Sequence, residues 1–204
     1  MGKVIATITT SLDGYVAGLD DGPGRGLGRG GERLHYWVMG GPWTYERGHD
    51  AGRGLSGEDK VFYDETQARV GGSIVGRSMY EAGEAWGGSN PFDHPLVVLT
   101  HRPEDQPPPE AGFHFVDGFD AALATARGFA DGKDVALAGG VEVIRQGLDA
   151  GIVDELAIST APVVLGGGKR LFAGLDQDLD LDIRSVHHST YATHVRYAVI
   201  KHHT

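Results

Sequence analysis

The sequence predicts an α/β protein with a mostly parallel central sheet, helices on both faces of that sheet, and a C-terminal antiparallel hairpin. Several strand-like runs, such as PLVVLT at residues 95–100, are apolar throughout, which is typical of strands covered on both faces. Segments with the apolar spacing of helices alternate with these runs. Near the C-terminus the spacing changes to a period of two, which indicates a hairpin at a sheet edge. Because the chain has 204 residues and 40% of them are hydrophobic, we expect one domain spanning residues 1–204.

The strands are predicted along the whole chain. Val4 to Thr10 forms the first buried strand, which ends before the turn dipeptide Asp13-Gly14. Further parallel strands are predicted at residues 73–76, 95–100, 113–116, 134–138 and 155–160. The hairpin is predicted from Leu181, Ile183 and Val186 in one strand and Val195, Tyr197 and Val199 in the other.

The helices are predicted between these strands. A short one covers ERLHYWVM at residues 32–39, and a longer one runs from Ser56 to Arg69, with Ser56 and Asp59 as caps and Val61, Phe62, Glu65 and Ala68 along one side. A third follows the strand at 73–76 and covers residues 77–85. The next has an apolar face of Phe119, Ala122, Leu123, Ala126, Phe129 and Ala130, and the last is marked by Val141, Ile144, Leu148 and Ile152.

A glycine-rich segment at residues 18–57 separates the first strand from the helix that begins at Ser56. Such a long excursion in a compact domain is usually either functional or disordered. It carries Trp37, Trp43 and Tyr45, large rings suited to covering a flat heteroaromatic ligand. We therefore expect a lid, although a mobile insertion whose rings pack on the body of the protein is the alternative.

The composition excludes several classes of protein. The net charge is −10 and no cluster of Lys and Arg is present, which argues against nucleic-acid binding. No apolar run approaches the roughly 20 residues of a membrane span, and the N-terminus lacks the apolar region of a signal peptide. Cysteine is absent, which excludes disulfides, thiol catalysis and Cys-ligated zinc and fits a cytoplasmic protein.

Three predicted strand ends carry unusual chemistry. They are Gly76-Arg77-Ser78, Thr100-His101-Arg102 and Gly139-Gly140. Helix starts offer free backbone N–H groups to an anion, and glycine lets the backbone approach a phosphate closely. Because the carboxyl ends of parallel strands share one edge of a sheet, these ends together predict a phosphate-rich ligand. A capping box of Ser78 and Glu81 is the alternative for the first of them.

Other motifs do not match the context that their chemistry needs. Gly26-x-Gly28-x-x-Gly31 has the spacing of a dinucleotide fingerprint, but no strand directly precedes it. Gly166 to Lys169 resembles the tail of a P-loop, but Val163 stands where the first glycine belongs. The pairs His187-His188 and His202-His203 do not share a helix face, so we expect solvated histidines and no metal site.

The chain resembles the dihydrofolate-reductase-like family, in the branch related to the reductase domain of the bacterial bifunctional riboflavin-biosynthesis deaminase-reductase. The resemblance covers nearly the whole chain. It rests on TTSLDGYVAG (9–18), GGERLHYW (30–37), IVGRSMYEAG (74–83), VLTHRP (98–103), LAGGVEVIRQGLDAGIVDEL (137–156) and PVVLGGGKRLF (162–172). It implies a dihydrofolate-reductase-like fold and a homodimer paired through the edge region of the sheet.

The resemblance also implies NADPH as the cofactor. Gly76, Arg77 and Ser78 are expected at its phosphates; Thr100, His101 and Arg102 around the adenosine 2′-phosphate; Gly139, Gly140, Val141 and Glu142 under the pyrophosphate; and Thr9, Val16 and Ala17 beside the nicotinamide. Glu104 and Asp105, which follow Arg102, are expected to point to solvent.

The candidate catalytic residues are Asp13, Glu32 and His35, and the candidate substrate contacts are Trp37 and Ser159. Each of three residues has a structural alternative: Asp13 as a turn former, Glu32 as a first-turn acid that complements the helix dipole, and Trp37 as a core residue. Lys169 and Arg170 are candidates for a substrate phosphate on the ground of charge alone.

The expected activity is NADPH-dependent hydride transfer to a C=N bond of a small heteroaromatic substrate. This substrate is pterin-like or ribosylaminopyrimidine-like, as in 5-amino-6-(5-phosphoribosylamino)uracil reductases. Two alternatives remain open: a non-catalytic NADP(H)-binding protein, and a flavin-using reductase, which would be yellow when purified.

Overall fold

The computed structural model describes residues 2–48, 54–175 and 178–201. Its strands are β1 (Val4–Ser11), β2 (Tyr15–Ala17), β3 (Val70–Gly76), β4 (Leu96–Leu99), β5 (Phe113–Val116), β6 (Asp134–Gly139), β7 (Glu155–Ala161), β8 (Lys169–Arg170), β9 (Asp180–His188) and β10 (Thr193–Ile200). Its α-helices are α1 (Tyr36–Met39), α2 (Gly57–Arg69), α3 (Arg77–Ala82), α4 (Phe119–Ala130) and α5 (Val141–Asp149). No helix in these ranges is long and apolar enough to cross a membrane.

Eight strands form one sheet in the order β5-β4-β3-β6-β1-β7-β10-β9, and β2 pairs with β8 in a separate ribbon. All pairs from β5 to β7 are parallel, whereas β10 runs antiparallel to both β7 and β9. The predicted fold class is therefore confirmed, including the C-terminal antiparallel pair at the edge of the sheet.

The two faces of the sheet have different cores because successive side chains of a strand point to opposite faces. On one face, Val4 and Ile74 pack in a cluster with Ile144 and Leu148 of α5 and with apolar residues of α4. On the other face, Ile5 packs with Phe62 of α2. The helices thus cover the sheet on both sides, which is why apolar side chains of its central strands are buried on both faces.

Helix α2 differs in detail from the sequence prediction. Ser56 is the residue before the helix, but its side chain makes no capping hydrogen bond. Asp59 turns inward to His194, and Phe62 and Thr66 are also buried, whereas Val61 is exposed. The buried side therefore follows Asp59, Phe62 and Thr66, because a polar partner on the sheet offsets the burial of the carboxylate.

The helix after β3 also differs from its prediction. Helix α3 ends at Ala82, and Gly76 occupies its N-cap position with no side-chain capping bond. The capping box that was the alternative for this junction does not form, because Ser78 lies inside the helix and the Glu81 carboxylate accepts a hydrogen bond from Arg77 Nε at 2.8 Å.

Two apolar positions lie outside the expected helical faces. Phe129 of α4 is exposed and packs against His114. Ile152 follows the end of α5 at Asp149 and packs against the core from the connection to β7.

The glycine-rich segment is described at residues 18–48 and 54–57, whereas residues 49–53 lie outside the described part of the chain. Its first part is held by backbone bonds from Gly18 N to Leu27 O (2.8 Å) and from Arg29 N to Leu19 O (2.7 Å). A Cβ atom on Gly26 would lie 2.6 Å from the carbonyl oxygen of Ala82, so this part packs closely on the end of α3. The predicted short helix begins as a 3-10 turn at Gly31–His35 and continues as α1.

Candidate functional site

The carboxyl ends of β4, β3 and β6 are neighbours in the sheet, so the three predicted strand ends come together. A cavity of about 360 Å³ lies against two of them and the start of α5. Its lining includes the predicted residues Gly76, Arg77, Ser78, Thr100, His101, Arg102 and Glu142. It also includes Leu99, Gly118, Phe119, Val143 and Gln146, which the sequence analysis did not select.

Gly118 and Phe119 carried a signal that was missed. Gly118 has φ 83°, in the left-handed region that favours glycine, and it directly precedes α4. This is another strand–glycine–helix junction, of the same kind as the two that were recognised. A uniform application of that rule would have found it.

The junction between β6 and α5 brings bare backbone to the strand ends. Gly139 has φ 122°, and a Cβ atom there would lie 2.7 Å from Met79 Sδ. The peptide bond between Gly139 and Gly140 is cis, and Gly140 is the N-cap residue of α5. A side chain does not fit at Gly139, so the surface here is formed by the backbone of Gly139 and Gly140, which we call the glycine wall. Bare backbone of this kind lets a phosphate approach closely.

Arg77 and Arg102 stand on one side of the cavity, and both contact the same two carboxylates. Arg77 donates from Nε to Glu81 Oε1 (2.8 Å) and from Nη2 to Asp105 Oδ2 (3.1 Å). Arg102 makes longer contacts, from Nη2 to Glu81 Oε1 (3.4 Å) and from Nε to Asp105 Oδ2 (3.5 Å). Asp105 is exposed, as expected, and its carboxylate also pairs with both arginines.

Arg77 retains an unused donor. Its Nη1 atom is buried and has no hydrogen-bond partner among the described residues. Burial works to lower the pKa of Arg77, but the bonds to Glu81 and Asp105 outweigh it and raise the pKa. The guanidinium is therefore a fixed positive charge with a donor free for an anion. Together with the glycine wall, this donor fits the phosphates of a nucleotide cofactor.

Thr9 lies at the end of β1, where its Cα is opposite that of Ser159 in β7. Its Oγ1 accepts a hydrogen bond from Trp37 Nε1 at 3.1 Å. Ile8, the preceding residue, lies against the position of a Cβ on Gly139, so the end of β1 adjoins the glycine wall. Val16 and Ala17 follow on β2, where Ala17 is buried.

Asp13 is bound to the loop that follows β7. Its carboxylate accepts hydrogen bonds from Ser11 Oγ (2.6 Å), Leu165 N (3.1 Å) and Gly166 N (2.8 Å). The bond from Ser11, with smaller contributions from the backbone bonds, lowers the pKa of Asp13 to about 2. These contacts fit the interpretation of Asp13 as a turn former, because the bond from Ser11 closes the turn after β1 and the two backbone bonds hold the loop after β7.

Glu32 and His35 lie in the 3-10 turn before α1, Glu32 in its first turn and His35 at its end. Burial lowers the pKa of His35 to about 4, so its imidazole is neutral at neutral pH. Trp37 is buried and packs its ring against Phe62 and His194. Its position therefore agrees with the core interpretation, while its indole N–H reaches Thr9.

Two other groups of polar residues are engaged with neighbours. Lys169 Nζ pairs with Asp21 Oδ2 at 2.5 Å, and Arg170 stacks over the ring of Tyr15. His101 bonds Asp117, and Glu142 pairs with Arg145 at 2.8 Å. The basic pair proposed for a substrate phosphate is thus partly neutralised by these contacts.

A buried polar network beside Thr9 was missed by the sequence analysis. His194 Nδ1 lies 2.7 Å from Ser159 Oγ, and His194 Nε2 lies 2.8 Å from Asp59 Oδ1. All three residues are buried, and burial outweighs the effect of Asp59 to lower the pKa of His194. Ser159, a candidate substrate contact, therefore belongs to a chain of hydrogen bonds that ends at α2.

Within residues 2–48, 54–175 and 178–201, no group of three or more His, Asp or Glu side chains could hold a metal ion. His187, one of the histidines considered for metal binding, pairs with Glu58 at 2.9 Å. The pair His202-His203 lies outside the described residues.

Comparison with known proteins identifies a family match and partial relatives. The family model of the RibD C-terminal domain matches residues 2–197. The Bacillus subtilis (strain 168) protein YwjB, described as uncharacterized, is 27% identical over 146 residues, which cover 70% of this chain and 82% of YwjB. YyaP of the same organism, also uncharacterized, is 46% identical over 50 residues, which are 24% of this chain and only 27% of YyaP.

Solved structures with a similar fold cover 98% of the chain. A candidate riboflavin biosynthesis protein from Shewanella sp. PV-4 aligns over 99% of its own chain, with a TM-score of 0.70 and 24% identity. Dihydrofolate reductase from Enterococcus faecalis, solved with NADP(H), aligns over 98% of its own chain with a TM-score of 0.58 and 17% identity. At these identities the similarity establishes the dihydrofolate-reductase-like fold.

Proposed function

The chain belongs to the RibD C-terminal domain family, and on that premise we propose that it is an NADPH-dependent reductase. The substrate class is a small heteroaromatic ring with a C=N bond, either pterin-like or ribosylaminopyrimidine-like. The observation that carries the proposal is the cavity at the strand ends, which is lined by two arginines and by the first turn of α5, the helix that follows Gly139 and Gly140. One of these arginines, Arg77, keeps a buried donor without a partner among the described residues.

The proposed cofactor would be held by groups that suit each of its parts. The N-termini of α3 and α5, with the backbone of Gly139 and Gly140, would bind the pyrophosphate. Arg77 and Arg102 would bind the 2′-phosphate through charge-assisted hydrogen bonds. When bound, NADPH supplies the hydride, and the protein supplies binding, orientation and electrostatics.

The proposed substrate side lies beyond the end of β1. Thr9 and the short strand β2, with Val16 and Ala17, would line the nicotinamide, and Trp37 and Ser159 would limit the space beside it. Because the Asp13 carboxylate is fully engaged by the loop after β7, Glu32 and the neutral His35 are the better candidates for a group that handles a proton.

Calorimetric titration of the full chain with NADPH and with NADH tests the cofactor. We expect tighter binding of NADPH, and Arg102→Ala should remove most of that preference because the 2′-phosphate loses one of its two cations. Arg184→Ala is the matched control, since Arg184 is an exposed arginine of β9 that lies outside the cavity lining. Equal affinities of the wild type for NADH and NADPH would contradict the proposal.

A non-catalytic NADP(H)-binding protein is the second candidate. It is favoured by the engagement of Asp13, which leaves fewer free acids near the proposed ring than a reductase of pterins is expected to use. The two functions separate in assays of NADPH with a dihydropterin and with a ribosylaminopyrimidine. Tight NADPH binding without steady-state NADPH oxidation would favour the binding protein, whereas turnover would exclude it.

A further inference from the structure

The two arginines at the proposed 2′-phosphate position are shared by two acids, Glu81 and Asp105. Each carboxylate contacts both guanidinium groups, at distances between 2.8 and 3.5 Å. The four side chains therefore form a cyclic ion-pair cluster at the rim of the cavity. Its two positive and two negative charges sum to zero.

We propose that Asp105 is a specificity-determining residue that opposes the binding of a 2′-phosphate at this cluster. The proposal rests on the proposed function, since it assumes that a nucleotide occupies the cavity. It goes beyond that function because it gives the Asp105 carboxylate a role of its own. This carboxylate sets how strongly the site prefers a ribose with a 2′-phosphate to a ribose without one.

The effect of Asp105 on a bound 2′-phosphate is electrostatic. A 2′-phosphate that reaches both arginines also comes close to Asp105, because the Asp105 carboxylate lies within 3.5 Å of each guanidinium. Like charges at such separations repel, and the repulsion is strongest where water is partly excluded. The phosphate thus meets a cluster without net charge. The two arginines without the acids would attract it more strongly.

The two arginines differ in their exposure and in the length of their contacts. The side chain of Arg77 is only 21% exposed and makes the shorter contacts, whereas that of Arg102 is 59% exposed and makes the longer ones. Arg102 can therefore exchange its carboxylate partners for a phosphate at small cost. The carboxylate of Asp105 remains beside the phosphate after that exchange, because its shorter bond is to Arg77.

Asp105 has two opposite effects on the binding of a phosphate, because it repels the phosphate and also orients Arg77. Its removal could therefore weaken binding instead. However, Arg77 keeps its 2.8 Å bond to Glu81 and packs over the rings of Phe115 (5.2 Å) and Tyr80 (5.9 Å). These contacts hold the guanidinium without Asp105, so the repulsive effect dominates.

The experiment compares Asp105→Asn with Glu104→Gln in the full chain. Glu104 is a matched control because it is an exposed acid of the same short turn, Pro103–Asp105, with no ion pair to the two arginines. Isothermal titration with adenosine 2′,5′-bisphosphate and with 5′-AMP measures the effect of the 2′-phosphate alone. These two probes differ only in that group.

We expect Asp105→Asn to bind adenosine 2′,5′-bisphosphate about threefold to tenfold more tightly than the wild type, with little change for 5′-AMP. Glu104→Gln should change the first affinity by less than about twofold. The gain in Asp105→Asn should shrink as salt is raised, because the cluster is partly exposed.

An unchanged or weaker affinity of Asp105→Asn for adenosine 2′,5′-bisphosphate overturns this inference while leaving the proposed cofactor intact. An equal gain in Glu104→Gln overturns it as well, because a general charge effect would then explain the result. If neither nucleotide binds the wild type or the variant, the proposed function fails together with this inference.

Discussion

His194 is fully buried between two polar partners, Asp59 and Ser159. Because burial keeps the imidazole neutral, one ring nitrogen carries a proton and the other does not. The Asp59 carboxylate accepts from Nε2, so Nδ1 accepts from the hydroxyl of Ser159. The network therefore fixes the tautomer of His194 and the direction of the Ser159 hydroxyl beside Thr9.

Asp59→Ala tests the energetic weight of this network. The substitution leaves the Nε2–H of His194 without an acceptor in a buried site, and we expect a loss of about 2–4 kcal/mol in the free energy of unfolding. Urea denaturation measures it. Glu58→Ala is the control in the same helix, since Glu58 is exposed and pairs with His187 at the surface; its loss should stay below about 1 kcal/mol. Equal losses for the two variants would contradict a special role of the buried carboxylate.

The sequence predicted some residues of the site and missed others for a physical reason. Arg77 and Arg102 follow strand ends, and the chemistry of such ends is local and visible in the sequence. Asp59 and His194 are 135 positions apart, and neither has a neighbour along the chain that reveals the partner. The alternating pattern of β10 predicted an apolar face at Val195 and Tyr197. However, Arg196, which stands between these two residues, is buried.

At the scale of elements, the first part of the glycine-rich segment makes more contacts than its composition indicates. Residues 18–31 are held by their own backbone bonds, and Tyr45 accepts a hydrogen bond from Leu27 N at 2.6 Å. Trp43 packs edge-on against Tyr45, while its Nε1 is buried without a partner among the described residues. An unsatisfied indole N–H in such a segment is compatible with a second position in which it finds an acceptor.

Hydrogen exchange tests whether this segment acts as a lid. With NADP⁺ and pterin both present, amides of residues 18–48 should gain protection relative to NADP⁺ alone, because closure over the substrate would exclude water. Helix α4 after its first residue serves as the internal control, since only Phe119 of this helix lines the cavity. Protection confined to Gly139 and Gly140 would show that the segment does not close, and the substrate wall would have to be sought elsewhere.

Element types were predictable because periodicity and turn residues act over short stretches, as in β5, whose bounds at Phe113 and Val116 agree with the prediction. Element ends were less predictable. Helix α3 stops at Ala82 because the chain turns into a segment with positive φ at Glu84, Ala85 and Trp86. Few non-glycine residues adopt that conformation, so the sequence carries no sign of it.

At the scale of the whole molecule, the edge strand β9 leaves one apolar face exposed. Ile183 and Val186 are 65% and 55% exposed, and they lie opposite Tyr197 and Val195 of β10. An uncovered apolar edge of this kind invites association. It supports the expected homodimer, paired through the edge region of the sheet.

Sedimentation at micromolar concentration tests the homodimer. We expect a mass of twice the 21.7 kDa chain mass for the wild type and a shift towards 21.7 kDa for Ile183→Lys, because a charge would be buried in the interface. Val164→Lys is the control, since Val164 is equally exposed but lies in the loop after β7. A wild-type mass near 21.7 kDa would refute the homodimer.

The position of β1 in the sheet also bears on how the protein is made. This strand leaves the ribosome before both of its neighbours in the sheet, β6 and β7, which begin at Asp134 and Glu155. At about 5–20 residues per second, roughly 6–25 s separate the synthesis of β1 from that of its first partner. During that interval VIATITTS has neither of its strand partners, so its backbone N–H and C=O groups are open to pairing with other chains until β6 and β7 are made.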